Sequence, residues 1–429
     1  MSIFEKKRAS RILPGLLALS LSVQVVCAED TPVTEPQTVD DAESKEKEGA
    51  KKEARKREIG VEEDPAVKQA VDAAEKRVEG VVERFDLQLY GSVRLRYRQV
   101  DSESVWSDGG SRIGLTGGWQ VSDNIRLFAR GEAGFNLLDQ VDFIFNRGDR
   151  PPDQDFGDTF FRRLLNVGAE TPHAVLAVGK AWSTYYRVSS FTDRFQGTGA
   201  SASGTYNAGT DGGNTGTGRA DDVLQVRGFV GPLQSELLRY PLTLNVQAQN
   251  GEPIPLVDGK NYKTTVGLST VFEGKSDWAI GVAYNHANIN EADLESLRSV
   301  GIDGDATALV VGARWYGDDF YAGTVVSRLE NHEATAEGIY FDGTGWEVYS
   351  QYRFHRRWWA IAGWNILEPR SSQSQVGPFK IDYGVLGIRY SFQDFRQMIF
   401  VNARLESSVT QDGRERPNVY TIGVRWDFP

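Results

Sequence analysis

The chain has 429 residues, a formal net charge of −11 and a single cysteine, so an internal disulfide is excluded, and the acidic balance argues against nucleic acid as a partner. Aromatic residues make up 11% of it and glycines number 45, a composition that favours β-structure rich in turns. Average hydropathy does not decide solubility here, because a membrane β-barrel alternates lipid-facing and lumen-facing residues.

Residues 1–28 read as a secretory signal peptide. Lys6, Lys7, Arg8 and Arg11 form a basic head, Ile12 to Val26 a short apolar run, and Val26 and Ala28 the −3 and −1 positions of an A-x-A-like cleavage site. The run is shorter than the roughly 20 residues of a spanning helix. Val26 suits lipoprotein processing before Cys27 poorly, so cleavage is expected after Ala28, leaving a mature chain without a thiol.

Residues 29–63 are a charged linker without aromatics, too polar to bury a core. Residues 64–84 suit a short amphipathic helix, opened by Asp64 and Pro65 as N-cap and first turn. Val67, Ala70, Val71, Ala74, Val78, Val81 and Val82 share one face of it. That stripe fits a self-associating coiled coil or a plain spacer helix.

Residues 85–429 read as one all-β unit. In "FDLQLYGSVRLRYRQV" Leu87, Leu89, Gly91, Val93, Leu95 and Tyr97 alternate with Gln88, Tyr90, Ser92, Arg94, Arg96 and Arg98. The outer face of a soluble sandwich has no use for such an arginine cluster, whereas a polar barrel lumen does. The last strand, "VYTIGVRWDF", puts Tyr420, Ile422, Val424, Trp426 and Phe428 on one side and Val419, Thr421, Gly423, Arg425 and Asp427 on the other.

About sixteen strands follow one another, joined alternately by short and long connections. The short ones are Ser122–Asn124, Glu170–His173, Glu273–Asp277, Gly317–Asp319, His355–Arg357 and Gln393–Arg396. The long ones are Asp101–Gly110, Leu138–Thr159, Tyr185–Arg219, Gly251–Asn261, Ile289–Asp305, Asn331–Asp342, Glu368–Phe379 and Thr410–Arg416. An even count with loop lengths segregated by end is how a transmembrane antiparallel barrel is built. Trp315, Tyr316, Trp358, Trp359, Tyr390 and Phe392 beside the short turns suit an interfacial girdle, against an alternative reading as ordinary core aromatics.

The residues of this barrel resemble the general diffusion porins of the Gram-negative outer membrane. "LYGSVRLRY" is similar to the family's first strand, "SRIGLTGG" to its second, and "AVLAVGKAWSTYYRVSSFTD" to its fifth strand and the start of its third loop. "WEVYSQYRF", "IDYGVLGIRYSF" and "VYTIGVRWDF" are similar to its closing strands. The resemblance implies a sixteen-stranded homotrimeric barrel in outer-membrane lipid, with a third loop folded inward opposite a basic ladder. The ladder falls on Arg112, Lys180 and Arg219, with Ser92 at the family's first-strand lysine and Arg94 two residues on. Arg96 and the set Arg126, Arg130 and Glu132 are expected to line the lumen as well.

The stretch "SFTDRFQGTGASASGTYNAGTDGGNTGTGRADD" reads either as a mobile surface loop or as the infolded one. It departs from the family in carrying "QGTGAS" where a carboxylate-bearing stretch is usual, and its acids are Asp193, Asp211, Asp221 and Asp222. The chain also ends Phe428–Pro429 where the family ends on Phe. The function expected is passive diffusion of small hydrophilic solutes and ions, with weak selectivity leaning to anions.

Three alternatives stand beside it. A substrate-specific sugar or anion porin shares the fold. The amino-terminal segment would add a tether, with peptidoglycan as partner. An enzymatic barrel needs a nucleophile and base in reach, and His173, His286, His332 and His355 form no such grouping with Ser and Asp in the sequence. No cofactor motif and no metal-ligand spacing is found.

Overall fold

The computed structural model describes residues 85–138, 160–231, 241–275, 277–370, 373–392 and 396–428. The expected signal peptide, linker and helix, and most of the Leu138–Thr159 loop, lie outside the described residues.

Among the described residues there are seventeen strand segments. The first nine are β1 (Phe85–Val100), β2 (Glu103–Asp108), β3 (Arg112–Ser122), β4 (Ile125–Phe135), β5 (Phe160–Glu170), β6 (Ala174–Trp182), β7 (Arg219–Val230), β8 (Leu242–Asn250) and β9 (Tyr262–Glu273). The rest are β10 (Trp278–Ile289), β11 (Ala306–Tyr316), β12 (Phe320–Ala334), β13 (Tyr340–His355), β14 (Trp358–Pro369), β15 (Ile381–Ser391), β16 (Gln397–Glu406) and β17 (Val419–Phe428). Pairing is antiparallel throughout, and β1 returns to β17 from Gly91 opposite Phe428 to Val100 opposite Val419. The sheet therefore closes on itself and has no edge, as a barrel in hydrocarbon requires.

Sixteen staves form the wall, because β2 and β3 are one stave broken by a bulge. Both pair with β1, with Leu95 opposite Asp108 and then Ser92 opposite Arg112, a register slip of one residue. Asp108 Oδ1 accepts the backbone N–H groups of Gly110 at 2.7 Å and Ser111 at 2.6 Å, which satisfies the donors the bulge frees. The slip reverses the alternation. Trp106, 61% exposed, faces outward before it; afterwards Ile113 faces outward and Arg112 inward.

The outward face is apolar stave after stave: Leu224 and Val226, Leu244 and Val246, Val266 and Leu268, Ile280 and Val282, Leu309 and Val311 are all exposed. On β17 the exposed residues are Tyr420, Ile422, Val424 and Trp426, so the greasy face of that strand meets the surroundings rather than a core. An apolar belt of this extent is stable only against lipid tails.

Three sequence expectations change. Residues 103–108 of the supposed Asp101–Gly110 loop are strand, turned tightly at Asp101 and Ser102. Most of Asn331–Asp342 is strand too, because β12 and β13 extend as a hairpin to Ala334 and Tyr340. Tyr316 and Trp359 leave the outer girdle: neighbouring residues on a strand face opposite sides, so Trp315 and Trp358 point out and Trp359, 8% exposed, points in under Arg353 and Arg389.

Candidate functional site

The segment between β6 and β7, residues 183–218, is packed inside the barrel against the wall from β9 to β16. It opens on a single helical turn, α1 (Tyr186–Ser189), beside β9, β10 and β11. Its buried apolar residues Tyr185, Val188, Phe191 and Phe195 join Val325, Leu329, Tyr349 and Tyr383 of the wall in one cluster. This is where the protein's core lies, since the outer face has none to offer.

Polar anchors fix the segment. Glu347 on β13 is fully buried, and Oε1 accepts the N–H groups of Ala202 at 2.7 Å and Ser203 at 2.8 Å. Its Oε2 accepts the hydroxyl of Thr192 at 2.6 Å. Tyr321 donates to the Phe191 carbonyl at 2.5 Å, Ser327 to that of Ala202 at 2.6 Å and Asn402 to that of Gln196 at 2.6 Å. Glycine makes two of these approaches possible. A Cβ at Gly345 would sit 1.7 Å from the Ala202 carbonyl oxygen, and Gly197, at φ 77°, takes a left-handed turn where a Cβ would meet Arg96 at 2.9 Å. The glycines of "QGTGAS" are thus structural requirements of the infolded path.

Between this segment and the opposite wall lies a cavity of ≈ 220 Å³. Seven arginines border it: Arg94, Arg96, Arg112, Arg163, Arg194, Arg219 and Arg425. Among the described residues two acids do, Asp108 and Asp193, giving this lining a formal charge of +5, with Glu132, Asp211 and Asp427 paired to Arg163, Arg219 and Arg425 beside it. Both acids are already engaged. Asp108 holds the bulge, and Asp193 Oδ2 accepts the hydroxyls of Tyr186 at 2.8 Å and Tyr206 at 2.7 Å. Burial and the Asp193 carboxylate push both phenols well above their usual range, so they stay protonated and donate.

No family model matches the chain, and no curated protein matches it in sequence. Solved structures match it in shape. OmpF of Salmonella typhi, in complex with daunomycin, superposes with a TM-score of 0.60 at 17% identity, over 80% of this chain and 97% of that one. An anion-selective porin from Comamonas acidovorans gives 0.56 at 13% identity, over 80% and 100%. OmpT of Vibrio cholerae, in a trimer form, gives 0.50 at 14%, over 80% and 100%. The barrel has the porin fold. At these identities the likeness is one of architecture, and the residues of the site have to be read from this chain.

Within the porin barrel the expected ladder divides. Arg94, Arg112 and Arg219 border the cavity. Lys180 does not: it is 3% exposed, with Nζ 2.7 Å from Asp221 and 3.1 Å from Asp211. Asp211 also receives Arg219 Nε at 3.0 Å. Burial alone would raise the Asp211 pKa, but Arg219 and then Lys180 pull it down to about 2. These four residues tie the end of the inner segment to its own stave. Asp222 is exposed on the outward side beside Leu224, away from the cavity.

Ser92 is buried, donates to Asp427 at 2.5 Å and accepts Arg94 Nε at 2.8 Å. Arg96 reaches across to the carbonyls of Gly197 and Asp108, each at 3.1 Å. The Arg126, Arg130 and Glu132 set lines the inner wall but not the cavity. Arg126 pairs with Asp86 at 2.8 Å and Glu170 at 3.4 Å, while Arg130 and Tyr90 both contact Glu132.

Arg163, Arg194 and Arg425 border the cavity and were not singled out from sequence. Arg425 was legible, since it sits on the polar face of the last strand. Arg163 was not, because β4 and β5 slip register there: Glu132 pairs with Leu164 and Ala133 with Arg162, so Arg163 breaks the alternation and turns inward, its Nε 2.8 Å from Glu132.

Proposed function

We propose that the protein is an outer-membrane channel for passive diffusion of small hydrophilic solutes, narrowed by the inner segment and favouring anions. The observation that carries this is the cavity bordered by seven arginines and two engaged aspartates. Two unit charges ~4 Å apart interact by about 4 kcal/mol at an effective dielectric of ~20, so a charge excess at a narrowing governs which ion enters. Arg94, Arg112 and Arg219 act as the basic wall, and Lys180, Asp211 and Asp221 act as the clamp that seats the inner segment. The porin fold, the closed sheet and the apolar belt support the membrane setting, and the likeness to a chain solved as a trimer supports a homotrimer.

The test is single-channel recording of the full-length protein in a planar bilayer, with a potassium chloride gradient across it. A reversal potential on the chloride side is expected. A reversal potential on the potassium side, or no discrete conductance, overturns the reading.

A further inference from the structure

We infer that the cavity at the arginine wall is a binding site for small organic anions carrying one flat aromatic ring, such as a benzoate-type carboxylate. This deepens the anion-channel reading and rests on it.

The two sides of the cavity differ in chemistry. Arg94, Arg112, Arg163 and Arg425 come from β1, β3, β5 and β17, within one stretch of the wall that also includes β4. Arg163 is paired with Glu132 at 2.8 Å and Arg425 with Asp427 at 2.7 Å, whereas Arg94 Nη2 has no hydrogen-bond partner. A guanidinium group pairs with a carboxylate through planar N–H pairs. The other side carries stacked rings beside Arg194 and Arg219. Tyr186 stacks on Trp182 with ring centroids 3.9 Å apart and planes at 17°, and Tyr206 and Phe195 lie beside them.

What keeps that side aromatic is Asp193. It is the acid the inner segment brings to the cavity, and its Oδ2 receives both tyrosyl hydroxyls. The two rings are held beside the cavity by that shared acceptor, and the carboxylate accepts from its own segment's donors. An inorganic anion would use the guanidinium groups and leave the rings unused. A flat organic anion uses both sides, pairing its carboxylate with the arginines and removing its ring from water against Tyr186 and Trp182. The ≈ 220 Å³ volume is below the roughly 300–1,000 Å³ of sites for drug-sized ligands, which limits the occupant to a single ring.

The experiment uses the full-length protein in a planar bilayer and measures the concentration of benzoate, cyclohexanecarboxylate or acetate that half-occupies the channel, read from current interruptions. The three share one charge and differ in the ring. Benzoate is expected to act at a concentration lower than cyclohexanecarboxylate by a factor of roughly 2 to 10, the range an aromatic pair contributes. In Tyr186→Leu that ratio is expected to fall to about one. Equal potency of benzoate and cyclohexanecarboxylate on the unaltered protein, with the reversal potential still on the chloride side, overturns the ring site and leaves the anion channel standing. A reversal potential on the potassium side overturns both.

Discussion

Glu347 on the barrel wall holds Ala202 of the inner segment through a backbone N–H 2.7 Å from its Oε1, and both residues are fully buried. One carboxylate there satisfies three donors, from Ala202, Ser203 and Thr192. Leaving a buried donor unsatisfied costs about 1–3 kcal/mol, so Glu347→Leu should release the middle of the segment rather than unfold a wall held by sixteen staves. The expected result is a larger and noisier single-channel conductance with the heat-resistant barrel retained in gel mobility. Glu347→Gln keeps one acceptor oxygen and should fall between the two. An unchanged conductance in Glu347→Leu would show that the apolar cluster around Tyr349 and Phe191 suffices to seat the segment.

Arg112→Ala and Lys180→Ala should differ in kind. Arg112 borders the cavity, and its loss should move the reversal potential toward the potassium side, less so at high salt, where screening is effective within ~3 Å at 1 M. Lys180 is buried between Asp211 and Asp221, and removing it leaves Asp211 with Arg219 alone and Asp221 with only Arg162 at 3.5 Å, a break in a buried pair of the kind that costs up to about 3–5 kcal/mol. Its expected signature is loss of stability and a disturbed segment, seen as a lower temperature of heat modification. A clean selectivity shift in Lys180→Ala with unaltered stability would place its ammonium in the ion path after all.

The barrel was legible in the sequence because its signal is long and periodic. Strand alternation, the order of short and long connections and the arginine face of β1 each repeat a pattern that hydrogen bonding and lipid demand. The site was legible only in part. Arg94, Arg112 and Arg219 could be placed by strand parity and resemblance, whereas Arg163 turns inward at a bulge that no alternation reveals. Lys180 has the right parity for the lumen, but whether an inward cation meets water or a buried carboxylate depends on where residues 211 and 221 come to lie, a tertiary matter. Nothing in "QGTGAS" says that Gly197 turns left-handed against Arg96 and Gly199 against Phe195; the sequence shows the missing carboxylate and not the reason.

Asp211 makes a prediction about acid. Its carboxyl has a folded pKa of about 2, below the ~4 of an unfolded aspartate, so its ionised form is favoured by folding. The stabilisation is fully present above pH ~4 and is lost as pH falls from there through about 2. The clamp should therefore hold from neutral pH down to about 4, and the conductance change attributable to it should appear only between about 4 and 2. Recording Asp211→Asn beside the unaltered protein isolates it, since the variant lacks the titrating group. A clamp-dependent change centred near pH 6 would count against the Arg219 and Lys180 pairing.

Charge and geometry are separable at Asp108. Its Oδ1 accepts two backbone N–H groups at the bulge that turns Arg112 inward, and its carboxylate is one of two acids bordering the cavity. Asp108→Asn keeps an acceptor oxygen while removing the charge. The cavity's formal excess then rises from +5 to +6, and the reversal potential should move further to the chloride side with the barrel's stability nearly kept. Asp108→Ala removes the acceptor too, leaving Gly110 and Ser111 N–H groups unsatisfied at a cost of about 1–3 kcal/mol each. Freed of its cap, the bulge no longer fixes the register at Arg112, so the anion preference gained by losing the acid should be offset by a misplaced arginine. Heat-modification temperature and reversal potential, measured on both variants, read these two effects apart. Should Asp108→Ala match Asp108→Asn in both measurements, the side-chain cap is not what holds the bulge, and the β1 ladder on either side of it must suffice.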